Sequence, residues 1–127
     1  MRLVYTVTIP GRAYVKKNGA KVFGHKLVYT PQYQGWKQTA RLYIKTQGKF
    51  FSNAELPFRG RLRLQAVFFF TDRRSEPDLS ALYEGVQDEL QAMQIIENDK
   101  HIVSHDGSTK VFGHPEQRVE VSLFSIG

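Results

Sequence analysis

The sequence predicts an α+β domain, a small and mainly antiparallel sheet with two helices packed on it. Three observations predict it. Apolar and polar residues alternate over residues 3–9, 61–70 and 117–126, as in half-buried strands. Apolar residues recur at helical spacing over 32–46 and 78–93. The 127 residues match one average domain, taken as a single unit over 1–127, and a 41% hydrophobic, 13% aromatic composition can build one core without disulfides.

In chain order, Leu3, Tyr5, Val7 and Ile9 share one face of the first strand, Val4, Thr6 and Thr8 take the other, and Pro10-Gly11 stops it. Residues 12–26 read as a basic hairpin or flexible arm, with Asn18-Gly19 as its turn among Lys16, Lys17, Lys21 and Lys26. Thr30 caps the first helix and Pro31 suits its first turn. Tyr33, Trp36, Ala40 and Tyr43 form its apolar stripe, while Lys37, Arg41 and Lys45 form a basic row. Residues 47–60 are a loop rich in Gly, Ser, Asn and Pro. In the next strand Leu62, Leu64, Ala66, Phe68 and Phe70 face the core. Val67 and Phe69 make its far end apolar on both sides, so burial on both is expected there. The polar segment 71–77 leads into the second helix, with Leu79, Leu82, Val86, Leu90 and Met93 inward. Short strands at 101–104 and 109–112 flank Asp106-Gly107, and Val119, Val121 and Leu123 point inward from the last strand.

Composition narrows the function. The absence of cysteine excludes a disulfide framework, a thiol nucleophile and a thiolate metal site, and fits a reducing compartment. The longest wholly apolar run, residues 66–70, is far short of the ~20 residues that span a bilayer. The N-terminus shows no signal-peptide core, so a cytoplasmic protein with no membrane partner is expected. Charge is unevenly spread. Residues 1–74 hold 15 Lys/Arg against two acids, a surplus of +13, whereas 75–127 hold three against ten, or −7. A basic half suits a polyanion such as nucleic acid. The acidic half would repel that polyanion unless its carboxylates hold metal ions; the alternative is a solvated acidic helix face.

Four groups of residues carry chemistry. Asp78, with Glu76 and Ser80 around it, sits where a strand gives way to a helix. It serves there either as an N-cap, alone or in a capping box with Ser75, or as a rigidly held metal carboxylate. Glu84 and Asp88 share a helix face at i, i+4 and either complete such a site or face solvent. Glu97-Asn98-Asp99 is a tight loop of oxygen ligands or simply a turn. The histidines His25, His101, His105 and His114 follow no metal-binding spacing, and no GxSxG elbow is present.

At these residues the chain resembles a known family. PDLSALYEGVQDEL (77–90) followed by IIENDKHI (95–102) resembles the P-D-L-D-N-L, D-x-L and D-D-x-x-I/V pattern of the RusA-type Holliday junction resolvases. TIPGRAYVKK (8–17) is similar to that family's opening strand and I-P-G turn, and YTP (29–31) to the start of its first helix. The resemblance covers most of the chain. It implies a RusA-like fold and a homodimeric, Mg²⁺-dependent endonuclease, with Mn²⁺ as a substitute ion and no organic cofactor. Its substrate would be the four-way DNA junction, cut by symmetric paired incisions. It further implies Asp78 and Asp99 as catalytic metal ligands, Asp88 as a third carboxylate, and Lys110 as the cation at the scissile phosphate. Two departures stand out. Ser80 and Ala81 replace the family's Asp-Asn, and Glu84 stands where some members carry a functional lysine. Ser80 is a weak neutral ligand for a hard cation, so the site loses one negative charge there unless Glu84, one turn on, supplies it. DNA binding is expected from Lys16, Lys17, Lys21 and Lys26 in the arm, Lys37, Arg41 and Lys45 on the first helix, and Arg73 and Arg74 beside the site. Two other readings stay open: a non-cleaving junction-binding relative, and a nuclease that prefers other branched substrates or RNA.

Overall fold

The computed structural model describes residues 1–15, 20–23, 26–74 and 76–127, with no side-chain description over 20–23 and 26–28. Lys16, Lys17, the Asn18-Gly19 turn, His25 and Ser75 lie outside the described residues, as do the side chains of Lys21 and Lys26.

The elements are β1 (Arg2–Pro10), β2 (Ala20–Phe23), β3 (Lys26–Tyr29), α1 (Pro31–Gln47), β4 (Lys49–Phe50), β5 (Leu62–Phe69), α2 (Leu79–Ala92), β6 (Ile102–Ser104), β7 (Thr109–Val111) and β8 (Arg118–Ser125), with a 3₁₀ turn at Asp99–His101. Six strands form one sheet in the order β4-β1-β8-β5-β6, with β7 also on β5, and β2 and β3 form a separate antiparallel ribbon. The centre is antiparallel: β8 pairs with β1 on one side and β5 on the other. The margin is parallel, because the chain leaves β5, crosses over through α2 and returns as β6 and β7 in the same direction. The domain is therefore α+β as expected, with a mixed sheet.

Both helices lie on the face lined by Leu62, Leu64, Ala66, Phe68, Val119, Val121 and Leu123, all buried. The Thr30 hydroxyl accepts from the Tyr33 amide at 3.3 Å, so the predicted cap forms. Tyr33, Trp36, Ala40 and Ile44 are the buried stripe of α1. Ile44 replaces the expected Tyr43 because the stripe advances by four residues at its last step. A bulge between Leu3 and Tyr5 shifts the register of β1 against β8. Val4 and Tyr5 are consequently both buried, where strict alternation put Leu3 inward. The far end of β5 is not buried on both sides. Val67 and Phe69 are half-buried, and the Arg118 guanidinium lies over the Phe69 ring at 4.0 Å. Among the described residues no helix is long and apolar enough to cross a membrane.

Candidate functional site

The carboxyl end of β5 and the first turn of α2 form the acidic part of the site. Pro77 is buried and anchors the entry to the helix, while Asp78, Ser80 and Glu84 are exposed. Asp78 occupies the N-cap position with extended backbone, yet its carboxylate makes no cap hydrogen bond to the helix amides. β7 runs beside this end of β5, with Lys110 opposite Phe68. That register carries the Lys110 ammonium to the Glu76-Pro77 segment, where it donates to the Pro77 carbonyl at 3.0 Å and pairs with Glu76 Oε1 at 3.0 Å. The lysine expected from a distant stretch thus stands beside Asp78's segment, with its charge shared by Glu76.

The second predicted motif is elsewhere. Glu97 is engaged by Arg59 Nε at 2.6 Å and His101 Nε2 at 3.2 Å. The hydrogen bond from His101, then that from Arg59, holds its carboxyl below the usual glutamate range. The Asn98 side chain accepts from the Lys100 amide at 2.9 Å, so it caps the 3₁₀ turn. Asp99 is exposed, and its amide donates to Gln91 Oε1, near the end of α2, at 2.9 Å. Asp78 is at the start of that helix, which has 14 residues and is therefore ~21 Å long. Within one chain Asp78 and Asp99 stand at opposite ends of α2. Among the described residues no three His, Asp or Glu side chains gather into a group that could hold a metal ion. The expected single pocket of Asp78, Asp88 and Asp99 is thus not formed inside one chain. The physical reason is the straight helix that joins the two motifs.

The α2 carboxylates act on different neighbours. Asp88 is half-buried on the side of Tyr33. Burial first, then the charges of Glu89 and Asp88, push the Tyr33 phenol up to about 12. Glu84 acts on His105 instead. That ring stacks on Tyr83 at 3.8 Å and hydrogen-bonds Gln87 Oε1. Burial lowers the His105 pKa, and the nearby Glu84 charge opposes the shift.

Among the expected DNA-binding cations, Lys45, Arg73 and Arg74 are exposed and Lys37 is half-buried. Arg74 Nε lies 3.8 Å from Asp72. Arg41 is no free surface cation, since its Nε pairs at 2.5 Å with Glu89, a carboxylate whose side chain is only 3% exposed. Two residues escaped the sequence reading. Glu89 sits seven residues after Leu82 on the buried side of α2, a phase that announces burial. Arg12 opens the basic stretch 12–26, with nothing in the sequence to single it out; its Nη2 donates to the Arg74 carbonyl at 2.8 Å, so it belongs to the Asp78 end. In comparisons with known proteins, no family model and no curated protein matches the chain.

Proposed function

We propose that this chain is a structure-selective endodeoxyribonuclease of the RusA type. It resolves four-way (Holliday) DNA junctions in recombination and repair by paired phosphodiester hydrolysis, as a cytoplasmic, Mg²⁺-dependent homodimer. The placement of Lys110 beside Asp78 supports this most. The two residues come from separate motifs, 32 positions apart, yet the Lys110 ammonium reaches Glu76 and Pro77, immediately before Asp78.

Mg²⁺ takes one or two carboxylates along with water and substrate phosphate, and among the described residues no group of three His, Asp or Glu side chains gathers at Asp78. The resemblance pairs Asp78 with Asp99, which stand at opposite ends of α2, so in this proposal a partner chain brings its Asp99 to this chain's Asp78. A two-fold dimer then has two identical composite sites, matching the near two-fold symmetry of a junction. In each site Asp78 and Asp99 carry the ion, and Lys110 offsets phosphate charge. Lys37, Lys45, Arg73 and Arg74 hold backbone phosphates, giving affinity for junction shape rather than base sequence.

A synthetic four-way junction incubated with Mg²⁺ tests the proposal. Symmetric paired incisions, lost in Asp78→Asn and Asp99→Asn but with junction binding kept, are expected. Cleavage that survives both substitutions overturns the mechanism. The second reading, a junction-binding relative that does not cut, is favoured specifically by Ser80 at the family's aspartate position. Tight junction binding with no incision under any divalent ion would establish it.

A further inference from the structure

Around the Asp78 end, aromatic rings and guanidinium groups alternate. Arg12 lies over the Phe70 ring at 5.2 Å, Phe70 stacks on Phe112 at 5.6 Å and 20°, and Arg73 lies over Phe112 at 4.8 Å. Phe70 is 1% exposed, and its amide bonds the Val111 carbonyl at 2.8 Å, so the rings are fixed to the core through the β5–β7 edge. Arg12 is held further by its bond to the Arg74 carbonyl.

Ring stacking occupies the flat face of a guanidinium and leaves its in-plane N–H groups to donate, an arrangement suited to the paired oxygens of a phosphate. Immobilising the side chain beforehand reduces the entropy lost on binding. Arg41, Arg59 and Arg118 each pair with a carboxylate. Among the described residues no carboxylate pairs with Arg12 or Arg73, so both charges remain uncompensated. We infer that Arg12 and Arg73, braced on the Phe70–Phe112 stack, form a clamp for the backbone phosphates of a nucleic-acid strand, and seat that strand against Asp78.

This clamp rests on the nucleic-acid reading above but not on cleavage, so its test measures binding. Affinity for the four-way junction is followed against salt for the wild type, Arg12→Gln, Arg73→Gln, Phe112→Leu and the control Arg61→Gln, whose exposed side chain lies at the opposite end of β5. Each lost phosphate contact lowers the magnitude of the log–log salt slope by about 0.9. The clamp requires that loss in Arg12→Gln and Arg73→Gln, with Arg61→Gln unchanged. Phe112→Leu keeps every charge and must weaken binding without changing the slope. Arg12→Lys, which keeps the charge but not the planar fork, must bind more weakly at an unchanged slope. Junction binding with equal slopes in all the Gln variants overturns the clamp and leaves the proposed function standing. A wild type that binds neither junction, duplex nor single strand overturns both.

Discussion

Arg41 on α1 places its Nε 2.5 Å from Glu89 Oε1 on α2, joining the two helices through a carboxylate that is 3% exposed. Removing the arginine leaves that carboxylate buried and uncompensated. Breaking one partner of a buried pair costs about 3 kcal/mol at the lower end, the end that applies because Arg41 is itself 44% exposed. Arg41→Ala should therefore unfold at distinctly lower urea, and Arg41→Lys should recover part of the loss. An unchanged urea midpoint in Arg41→Ala would show that the pair does not stabilise the fold. A fall in DNA affinity in that variant would come with this instability, which separates Arg41 from Lys37 and Lys45.

Local pattern explains why most of the fold was legible. Period-two runs gave β1, β5 and β8, while the Thr30-Pro31 start and the apolar spacing gave the two helices, because each signal lies within a dozen residues. Features that depend on distant partners were not. The parallel return of β6 and β7 follows from a crossover, the bulge at Leu3 and Tyr5 from pairing with β8, and the Arg41–Glu89 pair joins residues 48 apart. The site shows the same division. Lys110 reaches the Glu76-Pro77 segment through the β5–β7 register, which no local pattern announces, while Asp78 and Asp99 stand at opposite ends of α2.

The proposed composite site makes a subunit-mixing prediction. Asp78→Asn and Asp99→Asn should each be inactive alone. A mixed dimer holds one site with both substitutions and one with neither, so co-refolding equal amounts should restore about a quarter of the intact sites. The product should be nicked junction rather than paired incision. If the mixture stays as inactive as its parents while forming mixed dimers, the two aspartates do not meet across subunits.

His105 gives a pH dependence. Burial disfavours its imidazolium, so its folded pKa lies below the ordinary 6.5, while Glu84 limits the shift. Between the native value and 6.5 the unfolded chain binds more protons than the folded one, and stability rises with pH across that window. This contribution is present above 6.5 and is lost as pH falls through the depressed value. His105→Gln should flatten the acid side of the stability profile below pH 6.5, measured by urea unfolding at stepped pH. A profile parallel to wild type would remove His105 as its source.

Two glycines should respond in opposite directions to alanine. Gly85 lies inside α2, where a Cβ would rest 3.5 Å from Trp36 Cζ3, an ordinary contact. Alanine there removes the backbone-entropy cost of a helical glycine, and Gly85→Ala should stabilise by about 0.5–1 kcal/mol. Gly48 ends α1 at an unstrained φ of −64°, so its requirement is space rather than backbone freedom. A Cβ there would fall 2.7 Å from Tyr5 Cζ. That ring is fully buried and its hydroxyl donates to the Ile44 carbonyl at 3.3 Å, so it has nowhere to move. Overpacking of this kind costs about 1–3 kcal/mol, and Gly48→Ala should lower the urea midpoint by that measure. Equal midpoints for the two variants would show that the Tyr5 contact yields and that this end of the core is softer than its burial implies.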